Sequence, residues 1–273
     1  MPRLLDTTLN GFATHAATPV AALIIVHGLA EYAERYRGIA TELAASGIST
    51  FAYDQRGHGE APGTRTHVER FDRFVDDLNA VIAAVHAAHP SLPIFLWGHS
   101  MGTIVAILAA AQPHPAIRGV ITTSNSLEIF RRGINPLNPF FRALSRLVPR
   151  LRVPLGLDAT KISGDEAVQR AYANDPHIPS TASLRLIVEF AAACERARAA
   201  APQIALPWLN VHGEADAIAP VAGSRVLHDL LGTRDKTLQI PPGLRHEVHN
   251  EVAAARAEFV RLIAGWMHAR IPS

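Results

Sequence analysis

A serine between two glycines, in the run Gly98-His99-Ser100-Met101-Gly102, is the residue best suited to nucleophilic chemistry in this chain. Residues 93–97 before it form an apolar run typical of a buried strand, and residues 103–111 after it show an Ala-rich helical pattern. A serine on a sharp strand-to-helix turn lies in strained backbone, and flanking glycines remove side chains that would clash with that turn. The pattern predicts a nucleophile elbow with Ser100 as nucleophile. The alternative, a serine that only caps the following helix, explains neither glycine.

A serine hydroxyl is a poor nucleophile until a base takes its proton, and fourteen histidines are available. In parallel-sheet proteins the active groups lie beyond the carboxyl ends of the strands, and elbow enzymes carry them in the order Ser, Asp or Glu, His. Asp216 follows a predicted strand at 208–212, and His246 ends the turn-rich loop after a predicted strand at 236–240. We therefore expect His246 to be the general base and Asp216 to fix its tautomer and stabilise the imidazolium.

Other polar or thiol side chains are weaker candidates. His249, expected in the final helix, rivals the base, and Glu214 rivals the acid. Asp54 ends a predicted strand and is expected to order the following loop, whereas Cys194 is expected to be a small buried residue. No histidines, cysteines or carboxylates have metal-ligand spacing, so neither a metal nor another cofactor is expected.

Acyl transfer also requires hydrogen-bond donors for the developing oxyanion. The amide of Met101, directly after the nucleophile, is one predicted donor. The loop after the predicted strand at 21–27 should supply the second donor, which we expect to be the amide of Leu29. Alternatively, His27-Gly28 is only the end of a strand and a turn.

The elements that position these residues alternate between short apolar runs and amphipathic helical patterns. This alternation predicts an α/β fold, a mostly parallel sheet flanked by helices. Residues 126–200 interrupt it without a convincing strand, and we interpret them as a helical cap inserted into a core of residues 1–125 and 201–273. The predicted strands are 21–27, 49–54, 93–97, 119–123, 208–212 and 236–240, and the predicted helices are 71–85, 103–111 and 253–268.

Within the expected cap, residues 140–151 carry an apolar stripe at helical spacing, with Arg142, Arg146 and Arg150 on another face. Between residues 126 and 155 there are six arginines and one acidic residue. One interpretation is that the stripe covers an acyl tunnel and touches an anionic lipid surface. In the other, it packs on the core and the arginines are its solvated face.

The composition and charge of the chain exclude several classes of protein. The chain has 273 residues, 48% hydrophobic and 18% charged, which excludes a disordered or fibrous protein. A net charge of +2 is too small to indicate nucleic-acid binding. The chain has a single cysteine, which excludes an internal disulfide. With no leader pattern in residues 1–6 and no apolar run of about 20 residues, we expect a cytoplasmic protein that contacts membranes peripherally at most. Its oligomeric state stays open.

Seven stretches, in the same order across nearly the whole chain, resemble the monoacylglycerol lipase and lysophospholipase branch of the α/β-hydrolases. The resemblance implies Ser100 as nucleophile, Asp216 as acid and His246 as base, with the amides of Leu29 and Met101 as oxyanion donors. The stretches are HGLAEYAERY (27–36), YDQRGHGE (53–60), GTRTHVERFDRFVDDL (63–78), GHSMG (98–102), NDP (174–176), VHGEADAIAP (211–220) and RHEVHNE (245–251).

The chain departs from that family at three positions. Tyr32 stands where the family often has histidine, Ala61 where it often has serine, and Thr103 where a third elbow glycine is usual. None of these removes a catalytic group. The departures therefore bear on substrate identity more than on reaction type.

The leading hypothesis is a serine ester hydrolase in which Ser100 attacks, an acyl-enzyme forms, and water activated by His246 releases the acid. The resemblance implies a monoacylglycerol, lysophospholipid or similar single-chain ester. A short-chain carboxylesterase, an amidase or a peptidase would use the same triad, since several chemistries share this fold. A catalytically silent binding protein would have lost a triad member, and none is lost.

Overall fold

The structure is a computed structural model that describes residues 4–5, 7–112, 114–131 and 135–271. Arg132, one of the six arginines counted above, lies outside the described residues, as do residues 1–3 and 6 of the amino-terminal stretch.

A seven-stranded sheet forms the centre of the described chain, in the order β1-β3-β2-β4-β5-β8-β9. The edge strand β1 pairs antiparallel with β3, and every other pairing in this sheet is parallel. A separate antiparallel pair consists of β6 and β7. The bounds are β1 (Gly11–Thr14), β2 (Ala21–Val26), β3 (Ile48–Tyr53), β4 (Ile94–His99), β5 (Ile117–Thr123), β6 (Arg152–Pro154), β7 (Thr181–Ser183), β8 (Trp208–Val211) and β9 (Lys236–Gln239).

Helices cover both faces of the sheet, so the predicted fold class is confirmed. The long strand-to-strand crossovers that parallel pairing requires contain most of these helices. The bounds are α1 (Arg37–Ala44), α2 (Asp72–Ala88), α3 (Met101–Ala110), α4 (Pro139–Leu147), α5 (Glu166–Ala173), α6 (Leu184–Ala200), α7 (Ala222–Leu230) and α8 (Ala253–His268).

Strand β2 shows why the sheet strands are apolar without alternation. Its residues Ala22, Ile24 and Val26 face an apolar cluster that includes α2, α3 and α6, while the intervening residues face a second cluster built with α1 and α8. Since side chains alternate across a strand and both faces are covered, every position is buried.

The structure corrects the expectation that residues 126–200 contain no strand. Within that segment β6 and β7 pair antiparallel, with Val153 opposite Ala182. Each strand has only three residues, too few to show a period of two in the sequence. Elements β1, α1 and α7 were not predicted either.

The two long helices of this segment differ in exposure. Helix α6 packs on α3, and its buried side chains belong to the core cluster. On α4, Phe140 is 66% exposed and Leu147 79% exposed, so these side chains of the apolar stripe do not pack on the core. Among the described residues, no helix has both the length and the apolar character needed to cross a membrane.

Candidate active site

The loops that follow β2, β4, β8 and β9 meet beyond the carboxyl ends of these parallel strands, as expected for an open α/β sheet. There they border a cavity of about 370 Å³ to which Leu29, Ser100 and His246 contribute. Much of the remaining lining is apolar and comes from the 126–200 segment, namely Ile129, Phe130, Val153, Pro154, Leu155, Leu157, Ile162, Ile187 and Phe190. The three side chains are therefore brought together at the base of a largely apolar pocket.

Ser100 lies on a tight turn between β4 and α3. Its backbone has φ +50° and ψ −117°, a conformation that non-glycine residues rarely adopt. A Cβ at Gly98 would lie 2.5 Å from the carbonyl oxygen of Gly102, and one at Gly102 would lie 2.0 Å from that of Val26. These close approaches require glycine at both positions, as the sequence predicted from the clash that side chains would cause there.

The strained Ser100 peptide is held by hydrogen bonds on both sides. Its amide donates to Thr123 O at 3.0 Å, and its carbonyl accepts from Thr103 Oγ1 at 2.6 Å and from Ser126 Oγ at 2.8 Å. Thr103 occupies the position where a third elbow glycine is usual, and here its hydroxyl anchors the turn.

Asp216 and His246 are joined by a hydrogen bond of 2.7 Å from His246 Nδ1 to Asp216 Oδ2. The other carboxylate oxygen of Asp216 accepts from the amides of Ile218 at 2.8 Å and Ala219 at 2.9 Å. The Asp216 side chain is fully buried. These contacts fix the carboxylate, and the carboxylate in turn keeps a proton on Nδ1, which leaves Nε2 of His246 free to accept one.

The electrostatics of the pair follow from this contact. Burial alone would raise the pKa of Asp216, but the neighbouring His246 and His212 hold it well below its ordinary value. Burial alone would lower the pKa of His246, but the charge and hydrogen bond of Asp216 outweigh it, so that this pKa is raised. Asp216 is therefore ionised and His246 is a strengthened base.

The sequence-based rivals have different surroundings. His249 does not lie in the final helix as expected, because α8 begins only at Ala253 and His249 lies in a 3₁₀ turn over Val248–Asn250. It is fully buried among aromatic rings, and burial lowers its pKa to about 3. Glu214 is exposed. Neither residue has the histidine–carboxylate bond found for His246.

The expected oxyanion donors belong to two segments that meet at the cavity. Met101 is the first residue of α3, so its amide is among those with no intrahelical acceptor. Leu29 lines the cavity together with Ser100. Within the described part of the chain, no hydrogen bond links the Ser100 hydroxyl to His246; such contacts are often long in ligand-free enzymes.

Sequence reasoning missed one histidine that contacts the acid. His212 Nε2 lies 3.0 Å from Asp216 Oδ2 and 3.1 Å from Ala219 O. Because both neighbours are acceptors, Nε2 carries a proton and Asp216 receives a second donor. The spacing of four residues between His212 and Asp216 was the available signal.

Asp54, by contrast, orders a loop as expected. Its carboxylate accepts from the amides of Ala33 and Glu60, both at 2.8 Å. Cys194 is buried, with its thiol 3.7 Å from Ser126 O. Burial raises the thiol pKa, so Cys194 is a poor nucleophile.

Residues 17–253 match the Hydrolase_4 family, described as serine aminopeptidase, S33. The chain belongs to this family. It is 34% identical over 239 residues to a monoacylglycerol lipase from Mycolicibacterium smegmatis (85% of this chain, 83% of that protein). It is 31% identical over 260 residues to human monoglyceride lipase (93% of this chain, 84% of that protein).

The fold agrees with solved structures of similar proteins. The crystal structure of Paleococcus ferrophilus monoacylglycerol lipase has a TM-score of 0.83 and 29% identity, covering 96% of this chain and 99% of that one. A soluble variant of Saccharomyces cerevisiae monoglyceride lipase, at 22% identity, has the same fold with a TM-score of 0.85. This Hydrolase_4 chain is an α/β-hydrolase and a carboxylic ester hydrolase similar to the monoacylglycerol lipases.

Proposed function

We propose that the chain hydrolyses single-chain esters through an acyl-enzyme, with Ser100, His246 and Asp216 as its catalytic triad. The observation that carries the proposal is the 2.7 Å bond between His246 and Asp216 at a cavity that also contains the strained Ser100. A buried base whose pKa is raised by its carboxylate, next to an elbow serine, is the arrangement that acyl transfer requires.

In the proposed reaction, His246 Nε2 takes the Ser100 proton as Oγ attacks the ester carbonyl. The amides of Leu29 and Met101 stabilise the oxyanion of the tetrahedral intermediate. His246 then gives its proton to the departing alcohol, and the acyl group remains on Ser100. In the second half, His246 takes a proton from water as its oxygen attacks the acyl carbon. The bond from that carbon to Ser100 Oγ then breaks, His246 returns the proton to Oγ, and the acid is released.

The cavity supports a substrate with one acyl chain. At about 370 Å³ it is near the lower end of the range of ligand pockets, roughly 300–1,000 Å³. Its wall from the 126–200 segment is mainly aliphatic and aromatic, which suits an acyl chain. Monoacylglycerols and lysophospholipids have one such chain, and relatives of this chain include both monoglyceride lipases and Bacillus subtilis phospholipase YtpA.

We further propose that the 126–200 segment is a cap over this cavity and that α4 rests on an anionic lipid surface. Phe140 and Leu147 are exposed apolar side chains, and Arg142, Arg146 and Arg150 are exposed cations of the same region. Apolar side chains beside arginines suit the boundary between lipid headgroups and acyl chains. Since α6 packs on the core, we expect α4 to move more than α6 during substrate entry.

The test is the hydrolysis rate of p-nitrophenyl esters from acetyl to palmitoyl, with Ser100→Ala as the matched blank. We expect turnover that rises toward medium or long chains and that falls by about 10³-fold or more in Ser100→Ala. A monoacylglycerol and a lysophospholipid of the preferred chain length would then be compared directly.

The outcomes separate the alternatives. Turnover confined to the shortest chains would favour a short-chain esterase or an amidase. Wild-type activity in Ser100→Ala would refute the mechanism, and the absence of Ser100-dependent turnover on every ester tested would favour an unrelated substrate or a binding protein.

A further inference from the structure

Beside the proposed triad, at the wall of the same cavity, lies a buried group of charged side chains that the mechanism above does not use. It contains two carboxylates, Glu31 and Glu247, and one guanidinium, Arg35. Their side chains are 5%, 3% and 9% exposed, respectively. Burying charges is costly unless they are paired, so a cluster with an excess carboxylate needs an explanation.

Glu31 contacts the loop that carries the expected oxyanion donor Leu29. Its Oε1 accepts a short hydrogen bond from the amide of Gly28 and a second one from the hydroxyl of Tyr36 at 3.2 Å. The same oxygen lies 3.8 Å from Nε2 of His99, the residue before Ser100. A Cβ at Gly28 would lie 2.5 Å from Glu31 Oε1 and 3.0 Å from the Ser100 Cβ, so a side chain there would displace the Glu31 carboxylate from its present position.

Glu247 belongs to the loop that carries the base, because it directly follows His246. Arg35 Nη2 donates to Glu247 Oε1 at 2.6 Å and also contacts Oε2. The same guanidinium meets Glu31 through its Nε, which is 3.7 Å from Glu31 Oε2. It also lies over the ring of Tyr172, 5.0 Å from the centroid, and Tyr172 lines the cavity.

We propose that Arg35 is a positioning residue that holds the two catalytic loops together, through Glu31 on the oxyanion side and through Glu247 on the base side. Arg35 touches neither of the reacting groups. It acts by fixing the peptide before Leu29 and the residue after His246 in one geometry. The proposal rests on the function proposed above.

The charges of the cluster support this role. Burial and the charge of Glu247 raise the pKa of Glu31 to about 7, against the opposing effect of Arg35. Burial would also raise the pKa of Glu247, but Arg35 holds it below its ordinary value. Arg35 thus contacts a carboxylate of each loop, and its planar guanidinium presents its donors in a fixed fork, whereas the three donors of an ammonium rotate freely.

The test compares Arg35→Lys with Arg270→Lys, a matched control at the opposite end of the strands. Arg270 also binds a carboxylate, with Nε 3.0 Å from Asp235 Oδ2, and also covers an aromatic ring, 4.3 Å from the Trp266 centroid. We expect Arg35→Lys to lower kcat by roughly 10- to 100-fold with little change in KM, since small misplacements of catalytic groups have effects of this size. Arg270→Lys should keep the wild-type kcat.

Two further readouts distinguish positioning from general destabilisation. The inhibition constant of a trifluoromethyl ketone that carries the preferred acyl chain should rise by the same factor as kcat/KM falls, because its adduct occupies the oxyanion site. Hydrogen exchange should increase at residues 27–36 and 244–250 in Arg35→Lys and at neither segment in Arg270→Lys. If Arg35→Lys does not fold, Glu247→Gln, which keeps the side-chain shape, should produce the same changes on a smaller scale.

Several results would overturn the proposal. These are a wild-type kcat and inhibitor affinity in Arg35→Lys, an equal loss in Arg270→Lys, or a change confined to KM. If the wild type has no Ser100-dependent turnover, the proposed function fails instead, and hydrogen exchange then decides on Arg35 alone. Unchanged exchange at both loops would refute the positioning role whatever the substrate is.

Discussion

Replacing Asp216 with asparagine tests the proposed acid most directly, because the two side chains have nearly the same shape. In the structure Oδ1 accepts from two backbone amides and Oδ2 faces ring nitrogens of His246 and His212. Asparagine can keep the amide contacts through its oxygen. Its NH₂ group would then face two ring nitrogens that carry hydrogens, so His246 should turn or change its tautomer.

We expect this change to lower kcat by about 10⁴-fold, the size of effect that follows when the base is held in the wrong tautomer. That factor corresponds to about 5 kcal/mol of activation free energy. Loss of the charge-assisted bonds should also lower the free energy of unfolding by roughly 1.5–3 kcal/mol. Glu214→Gln makes the same chemical change at an exposed carboxylate two residues away and should leave both quantities unchanged.

The dependence of kcat/KM on pH gives a second readout. His246 must be neutral to accept a proton, and Asp216 raises its pKa, so activity of the wild type should fall as pH decreases through a value above 6.5. In Asp216→Asn the largest remaining effect, burial, lowers the pKa of His246 and is opposed by the charges of Glu247 and Glu31, so the residual activity should persist to lower pH than in the wild type. A loss of less than about tenfold, or an acid limb that does not move to lower pH, would refute the role of Asp216.

Two further substitutions test the elbow and the cap. Thr103→Val removes the 2.6 Å hydrogen bond to the Ser100 carbonyl and should lower the free energy of unfolding, measured by urea titration, by about 1 kcal/mol. An unchanged urea midpoint would show that the hydrogen bond from Ser126 is enough to hold this carbonyl. Leu147→Glu changes a side chain that is 79% exposed, so we expect an unfolding free energy within about 0.5 kcal/mol of wild type. Its co-sedimentation with anionic vesicles should fall, and equal binding by both proteins would exclude α4 from the lipid contact.

Five of the six predicted strands, all except the partly exposed edge strand β9, were predictable because nearly all of their residues are buried and they therefore appear as largely apolar runs. All six predicted strands exist, with ends shifted by at most two residues. Strands β6 and β7 have three residues each, so they leave too little pattern for detection. Strand β1 is as short as the predicted edge strand β9, and its sequence GFAT begins with glycine, a residue that is depleted in strands. The position of α8 was predicted, but not that His249 lies before it, since a buried 3₁₀ turn has no periodic signature.

The candidate site likewise contains residues that could be predicted from the sequence and residues that could not. Ser100, Asp216 and His246 could be singled out because an elbow motif, a known order along the chain and the strand ends constrain them jointly. The cluster of Glu31, Arg35 and Glu247 has no such rule: Arg35 and Glu247 are 212 residues apart, and the chain contains 26 basic and 24 acidic residues.

Most charged pairs in a protein are exposed and contribute little to stability, so sequence alone gives no reason to prefer one. The fold distinguishes the pairs of Arg35 from the exposed charged pairs. It buries Arg35 against one carboxylate from each catalytic loop, where a lost partner would leave a charge without compensation. A positive charge alone at position 35 should therefore not be enough for function, because the geometry of the guanidinium is required as well. Arg35→Lys keeps the charge and changes that geometry, so it tests the requirement directly.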